Sequence, residues 1–403
     1  MQILQINSVA NSGSTGRIAE DIGKVVIANG HESYIAYGRS NRPSQSKLIK
    51  IGSRYDFYQH AALTRLTDRH GFGSKQATLK LIKEIDKIKP DAIGLHNIHG
   101  YYLNIEVLFK YLAKKEIPVL WTLFDCWSFT GHCSYFDKIG CEKWLTGCHH
   151  CPLTSKYPAS YLIDNSVKNY ADKKRIFNSL SKMELIVHSR WLSGLVSKSF
   201  LNKIPVHTLP SGIDLDLFKP VQSDIKEKLE VKPSKKVLLG IASPWSKRKG
   251  LDDFHLLRQY LSDDYTIVLV GLSAKQKKAL QPNMIGIERT DSVQELAELY
   301  SMADVFVNPT YQDNFPTTNI ESLACGTPVI TYNTGGSPEA IDQDTGFVVE
   351  KGNIEGLVDA ATKVTKKGKE IYQPLCRARA ENCFNKDDRY MDYLRLYEHL
   401  VKR

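Results

Sequence analysis

Short apolar runs, each followed by a stretch with helical spacing, repeat from one end of this chain to the other. In the first half they are Ile3 to Ile6, Tyr34 to Tyr37, Ala92 to His96, Val119 to Leu123 and Leu185 to His188. In the second half they are Val237 to Ala242, Thr266 to Gly271, Val305 to Asn308, Val329 to Thr331 and Phe347 to Val349. Nearly continuous apolar strands that alternate with helices imply parallel sheets covered on both faces. Each half supplies about five strands, enough for one doubly wound α/β domain apiece. A chain of 403 residues is also too long for one hydrophobic core.

The divisions can be read from the turn chemistry. LPSGIDLDLFKP, from Leu209 to Pro220, holds turn formers and two prolines between the halves. The expected domains are residues 1–208 and 209–386, followed by a helix over 387–403. That last helix carries Tyr390, Tyr393, Leu394 and Tyr397 on one face. Within the second half, Val293, Leu296, Ala297 and Tyr300 share a helical face after Ser292, which with Glu295 fits a capping box. Pro309 ends the following strand because it cannot donate to a sheet ladder.

No run approaches the roughly 18 to 20 apolar residues that span a bilayer, and MQILQINSVANSG lacks the pattern of a secretion signal. The expected location is the cytoplasm. A formal charge of +10 favours an acidic partner: nucleic acid, an anionic membrane surface or phosphorylated small molecules. Clusters such as Lys80, Lys83, Lys87 and Lys89 read singly as solvated helix faces, and as a set they fit a peripheral contact with anionic headgroups. No nucleic-acid-binding motif is present, so nucleic acid is not an expected partner.

The segment DNFPTTNIESLACGTPV, Asp313 to Val329, carries the most chemistry. Pro316 suits the first turn of a helix, where its missing N–H is not needed. The amides of Thr317 and Thr318 then point out of the helix start, which makes it an anion site. Glu321, one turn on, lies on the same face and can accept two hydrogen bonds from a vicinal diol such as a ribose. Asp313 can do the same for a sugar hydroxyl. Taken one at a time, these residues read equally as an exposed helix residue, a turn cap and a helix start.

Together they resemble the signature of glycosyltransferase family 4, retaining enzymes of the GT-B fold. Asp313 is followed by seven residues, then Glu321, then the small-residue stretch Ala324-Cys325-Gly326-Thr327-Pro328-Val329. The resemblance extends over Ser211 to Phe218, Lys249-Gly250, Ala303-Asp304, and Gly335-Gly336 with Glu339. It implies two Rossmann-like domains facing across a cleft, with the C-terminal helix returning to the first domain. It also implies a nucleotide-sugar donor on the second domain. Glu321 would hold the ribose, Asp313 would lie near the transferred sugar, the amides of Asn314, Phe315, Thr317 and Thr318 would meet the diphosphate, and Lys249 would neutralise the leaving phosphate. A fixed ammonium stabilises that developing charge without a metal ion. The first acid of the pattern is aspartate here rather than glutamate, and Ser243 stands where the family has arginine. Lys247 and Arg248 are candidates for the second cation, with a plain solvated loop as the alternative.

In the first half, NSGSTGRIAEDIG opens a helix; Gly13 and Gly16 permit close backbone approach, and Ser14 or Thr15 can cap it. It is not a P-loop, because Arg17 replaces the lysine and the glycine spacing differs. By resemblance this loop faces donor phosphates or the acceptor. His96 and His99 follow one strand and Asp125 follows the next, at the ends where doubly wound sheets bind ligands. His99 and Asp125 are the acceptor-side catalytic candidates; Phe124 stands where related sequences carry histidine.

Eight cysteines without a secretion signal do not read as a disulfide framework. Four are crowded into residues 131–152: Cys133, Cys141, Cys148 and Cys151, beside His132, His149 and His150. Two readings stay open, a structural zinc site or reduced thiols packed in a long loop. SFTGHCSYFDKIGCEKWLTGCHHCP resembles the loop of colanic acid and capsular polysaccharide glycosyltransferases. The resemblance therefore implies hexose transfer from a UDP- or GDP-sugar to a glycan, carried on a lipid diphosphate at the inner face of the membrane, for a bacterial surface polysaccharide, with no cofactor needed for catalysis. The competing expectations are another GT-B enzyme, an epimerase or phosphorylase, and a binding module without activity.

Overall fold

The computed structural model describes residues 1–403, which form two compact units: Met1–Leu209 together with Asp387–Arg403, and Pro210–Lys386. The first contains strands β1 (Gln2–Asn7), β2 (Glu32–Tyr37), β3 (Lys47–Lys50), β4 (Ala92–Leu95), β5 (Val119–Leu123), β6 (Met183–Val187) and β7 (Val206–Thr208). They form one seven-stranded sheet in the order β3-β2-β1-β4-β5-β6-β7. The second unit contains β8 (Lys236–Ile241), β9 (Tyr265–Val270), β10 (Met284–Ile287), β11 (Val305–Asn308), β12 (Val329–Tyr332) and β13 (Gly346–Val349). These form a six-stranded sheet in the order β10-β9-β8-β11-β12-β13. Every pairing in both sheets is parallel.

The ten apolar runs all become strands, with ends displaced by no more than two residues. Three further strands, β3, β7 and β10, match no such run. All three are sheet edges and only three or four residues long. An edge strand has a neighbour on one side only, so the sequences of β3 and β7 are under little pressure to be apolar, whereas β10 is an apolar run of only four residues.

Each sheet reverses its winding once, between β1 and β4 in the first unit and between β8 and β11 in the second. Loops leaving the carboxyl ends of the strands on either side of a reversal part in opposite directions and open a crevice. His99 follows β4, Lys249 follows β8 and Asp313 follows β11, all beside a reversal, whereas Asp125 follows β5, one strand further on.

The helix Val293–Met302 starts at Ser292, whose hydroxyl accepts from the Glu295 amide at 3.0 Å. The Glu295 carboxylate accepts from the Asp291 amide at 2.6 Å, so the reciprocal half of the capping box reaches one residue further back. Ala297, Leu299 and Tyr300 are its buried face, while Val293 stays exposed. The C-terminal helix Lys386–Lys402 buries Tyr390, Tyr393, Leu394, Tyr397 and Leu400. These side chains pack with Ile3, Ile22, Ala92, Leu120 and Ile186, which places the helix on a face of the first unit's sheet.

Candidate functional site

The second unit's reversal brings two loops together. The loop after β8 is anchored by Trp245, buried and donating from Nε1 to the Val270 carbonyl at 2.8 Å. It then forms a short turn, Lys247–Lys249, and ends at Gly250, where φ is +75°. A side chain at Gly250 would strike the Pro309 carbonyl, so glycine here lets the loops after β8 and β11 touch. The Tyr311 amide donates to the Arg248 carbonyl at 2.8 Å, and the Arg248 guanidinium donates to the Gln312 carbonyl at 2.7 Å.

At this junction Lys249 Nζ lies 2.6 Å from Asp313 Oδ2, with both side chains largely shielded from solvent. Arg248 is therefore a tie between the loops, Lys247 is exposed, and Ser243, also exposed, stands at the turn's approach. The sequence reading placed Pro316 in the first turn of the next helix. In the structure it is the N-cap, and the helix runs Thr317–Ala324. Asn314 and Phe315 are buried, Phe315 against Phe384 in the core, so they offer a ligand their backbone rather than their side chains. Asp313, Thr317, Thr318 and Glu321 remain partly exposed along one side of the helix start.

Three supports of this arrangement escaped the sequence reading. Tyr300 donates its hydroxyl to Glu321 Oε2 at 2.9 Å. Burial, and then the neighbouring carboxylate, hold that phenol well above its ordinary pKa, so it remains a donor. Asp253 accepts from Tyr311 and Tyr332 at 2.9 and 2.7 Å and pins the loop after β11. Asn319, fully buried, bonds Asn308 at 2.7 Å and Ser337 at 3.1 Å, which fixes the helix start against the end of β11 and the short turn Ser337–Ala340. Tyr300 read as core because its ring is core; its hydroxyl carries no periodic signal.

In the first unit, the helix Gly13–Ala28 follows β1. Gly13 takes φ of +62°, and Gly16 packs against Val9 and Asn11. The N-cap is Ser12, not Ser14 or Thr15; the Thr15 hydroxyl instead accepts from Asn7 at 3.3 Å. His96 is buried, bonds Gln5 at 2.8 Å, and is driven down to about 3 by burial, so it is a neutral structural group.

His99 and Asp125 do meet. His99 Nε2 lies 3.0 Å from Asp125 Oδ2, and its Nδ1 lies 3.0 Å from the Tyr157 hydroxyl. An ionised carboxylate only accepts, so Nε2 carries the proton and Tyr157 donates to Nδ1. The other Asp125 oxygen accepts from the Trp127 amide at 2.9 Å. With both ring nitrogens engaged, His99 orients Asp125, whose remaining lone pairs are free to receive a hydroxyl. These two residues, with Phe124 and Trp127, line a pocket at the ends of β4 and β5.

The cysteine loop differs from the zinc reading. Cys133, Cys141, Cys148 and Cys151 line one small cavity with His132, yet no group of three or more His, Cys, Asp or Glu side chains is arranged to hold a metal ion. The thiols of Cys133 and Cys151 bond each other, which raises the first and lowers the second to about 7, and Cys148 accepts from the Gly131 amide at 3.1 Å. Of the two readings left open for these four cysteines, the structural zinc site finds no support in that arrangement. Aromatic packing of Phe129, Phe136 and Trp144 holds the loop, with a bond between His132 and Asp68. Lys173 adds bonds to the Trp127 and Thr130 carbonyls at 2.8 and 3.1 Å.

Residues 235–367 match the family model described as Glycosyl transferases group 1. A protein of Escherichia coli strain K12 that carries the name colanic acid biosynthesis glycosyl transferase WcaC is 24% identical over 372 residues, 89% of each chain. An Escherichia coli UDP-Gal:alpha-D-GlcNAc-diphosphoundecaprenol alpha-1,3-galactosyltransferase is 25% identical over 205 residues, 47% of this chain and 53% of that one. Among solved structures, sucrose-phosphate synthase of Thermosynechococcus elongatus superposes with a TM-score of 0.71 at 18% identity, covering 100% of this chain and 99% of the other. Anabaena HepE, solved with UDP and glucose, gives 0.69 at 14% identity, covering 98% and 99%. Residues 235–367 thus carry a domain that matches group 1 glycosyl transferases, and the pair of Rossmann-like sheets is that of the GT-B fold.

Proposed function

We propose that this enzyme transfers a hexose, with retention of anomeric configuration, from a UDP- or GDP-sugar to a lipid-diphosphate-linked glycan in the assembly of a bacterial surface polysaccharide. The observation that carries the reading is the Lys249–Asp313 pair at the second sheet's winding reversal, beside the helix start at Thr317 and one turn from Glu321. An ammonium, free amides and a carboxylate set in that order match a diphosphate and its ribose. Gly13 and Gly16 would let the loop after β1 approach an acceptor closely. The relatives named for diphosphoundecaprenol acceptors, and the neighbours solved with UDP, agree in substrate class.

In this reading the bond between the sugar C1 and the β-phosphate oxygen breaks, and that oxygen takes the electron pair beside Lys249 and the helix amides. The acceptor hydroxyl, oriented by Asp125 and His99, forms the new bond to C1 on the same face. Its proton passes to the leaving diphosphate. Asp313, which pairs with Lys249, turns to a sugar hydroxyl as the donor phosphates engage that ammonium. Protein cations and amides meet the developing charge, so transfer proceeds without a metal at the cytoplasmic membrane face.

Calorimetry with UDP, GDP and their sugars, on wild type and Glu321→Ala, tests the donor half. One nucleotide should bind with clear preference and lose at least about tenfold in affinity in the variant, since a carboxylate hydrogen bond is worth roughly 1.5 to 3 kcal/mol. No binding of any nucleotide, or binding indifferent to Glu321, would overturn the reading.

A further inference from the structure

The helix Arg54–Thr67 turns an apolar face to solvent. Tyr55 and Tyr58 are 69% and 67% exposed, and Leu63 and Leu66 follow on the same side. Alongside its end runs a loop whose Tyr161 and Leu162 are 68% and 74% exposed, with Ile163 next to them. The two segments are joined: the Tyr161 amide donates to the Arg65 carbonyl at 2.8 Å, and Asn165 donates to the Thr67 carbonyl at 2.8 Å. Single exposed apolar residues are ordinary, but a run of aromatic and aliphatic side chains on two joined segments marks a contact surface.

Cations outnumber carboxylates around this patch, even with Lys168 paired to Asp172 at 3.2 Å. Arg54, Arg65, Lys156 and Lys168 are exposed at its margins. The one acidic residue on the helix, Asp56, is engaged by Ser53 in the capping box, and Asp164 of the loop accepts from the Cys151 and Ser166 amides at 2.7 and 2.9 Å. Apolar side chains rimmed by Arg and Lys match a bilayer interface with anionic headgroups. Two copies of the chain meeting through this patch about a two-fold axis would bring the same basic rim against itself. The loop also contains Tyr157, whose hydroxyl is 3.0 Å from His99. One end of the segment thus touches the acceptor-side pocket and the other presents the patch.

We infer that the helix Arg54–Thr67 and the loop Tyr157–Ile163 form the surface by which this protein docks on an anionic lipid bilayer. No helix is long and apolar enough to cross a membrane, so the contact is interfacial. It deepens the proposed function, on which it rests for a lipid-borne acceptor, by naming where that acceptor is taken up.

The test is sedimentation of the full chain with vesicles of phosphatidylcholine alone and of phosphatidylcholine mixed with phosphatidylglycerol. The wild type should partition onto the mixed vesicles, release with rising salt, and bind the neutral ones far less. Tyr58→Ser/Leu66→Ser, Leu162→Ser/Ile163→Ser and Arg54→Gln/Arg65→Gln should each weaken partition by at least about tenfold. Tyr260→Ser, an exposed tyrosine of the second unit, should change nothing. Nucleotide calorimetry on the same variants should match wild type, which shows that they are folded. Failure to bind vesicles, or binding indifferent to the patch, would overturn the inference. So would a dimer in sedimentation velocity that the patch variants dissolve. Nucleotide binding fails or succeeds independently, so loss of the donor reading is distinguishable from loss of this one.

Discussion

The hydroxyl of Tyr300 shows how a single polar atom can govern a site that its own ring does not enter. The ring is wholly buried between Phe218 and Phe306, so its position is set by packing, and the hydroxyl meets Glu321 Oε2 at 2.9 Å. A carboxylate held on one oxygen presents the other in a fixed direction, which lowers the cost of ordering it around a ribose. Tyr300→Phe keeps the packing and removes the bond. Nucleotide affinity by calorimetry should fall about five- to thirtyfold, a loss of order 1 to 2 kcal/mol. Thermal stability should change little, and Glu321→Ala/Tyr300→Phe should be no weaker than Glu321→Ala alone. An unchanged affinity in the single variant would remove Tyr300 from the site.

At the scale of elements, the two loops of the second unit depend on a contact that tolerates no side chain. Gly250 sits at φ +75° against the Pro309 carbonyl and precedes the helix Leu251–Tyr260. Gly250→Ala imposes both a left-handed alanine and a clash, so the turn bearing Lys249 must move away from Asp313. Transfer activity should drop by about a hundredfold or more, because a displacement of about 1 Å costs that much where geometry is catalytic. The fold, followed by circular dichroism, should survive. Activity near wild type would mean that the loops need not touch. Strands were legible in the sequence wherever burial on both faces forced an apolar run, as in Val119–Leu123. They were illegible at Lys47–Lys50 and Val206–Thr208, where the sheet ends, and at Met284–Ile287, an apolar run of only four residues. Lys249 and Asp313 could be singled out because each lies in a motif that the family resemblance covers. Tyr300, Asp253 and Tyr157 lie outside those motifs and read locally as core, helix or loop. The cysteine spacing left zinc and packed thiols both open, and the structure favours the second, with thiols taken up by one another and by a backbone amide.

Over the whole molecule the two units differ in how they carry buried imidazoles. His60, His70, His96 and His188 all lie in the first unit, each at least nine-tenths buried and each held below its ordinary pKa by desolvation. The values are about 4 for His60 and His188 and about 3 for His96. In the unfolded chain the same groups titrate near 6.5. Between these limits the unfolded state binds more protons, so folding stability rises with pH there and is lost as pH falls from about 6.5 towards 4. The second unit holds a single histidine, His255, which is not buried. Thermal unfolding of the full chain at a series of pH values should therefore resolve an acid-sensitive transition below pH about 6.5, assigned to the first unit by tryptophan fluorescence from Trp121 and Trp127. The transition of the second unit, reported by Trp245 and by its shift on adding nucleotide, should move much less over the same range. Replacing His188 by Gln, which keeps a donor toward the Leu209 carbonyl 2.8 Å away, should shallow the pH slope of the first transition without altering that of the second. Two transitions with equal slopes would show that the buried imidazoles do not govern the acid response.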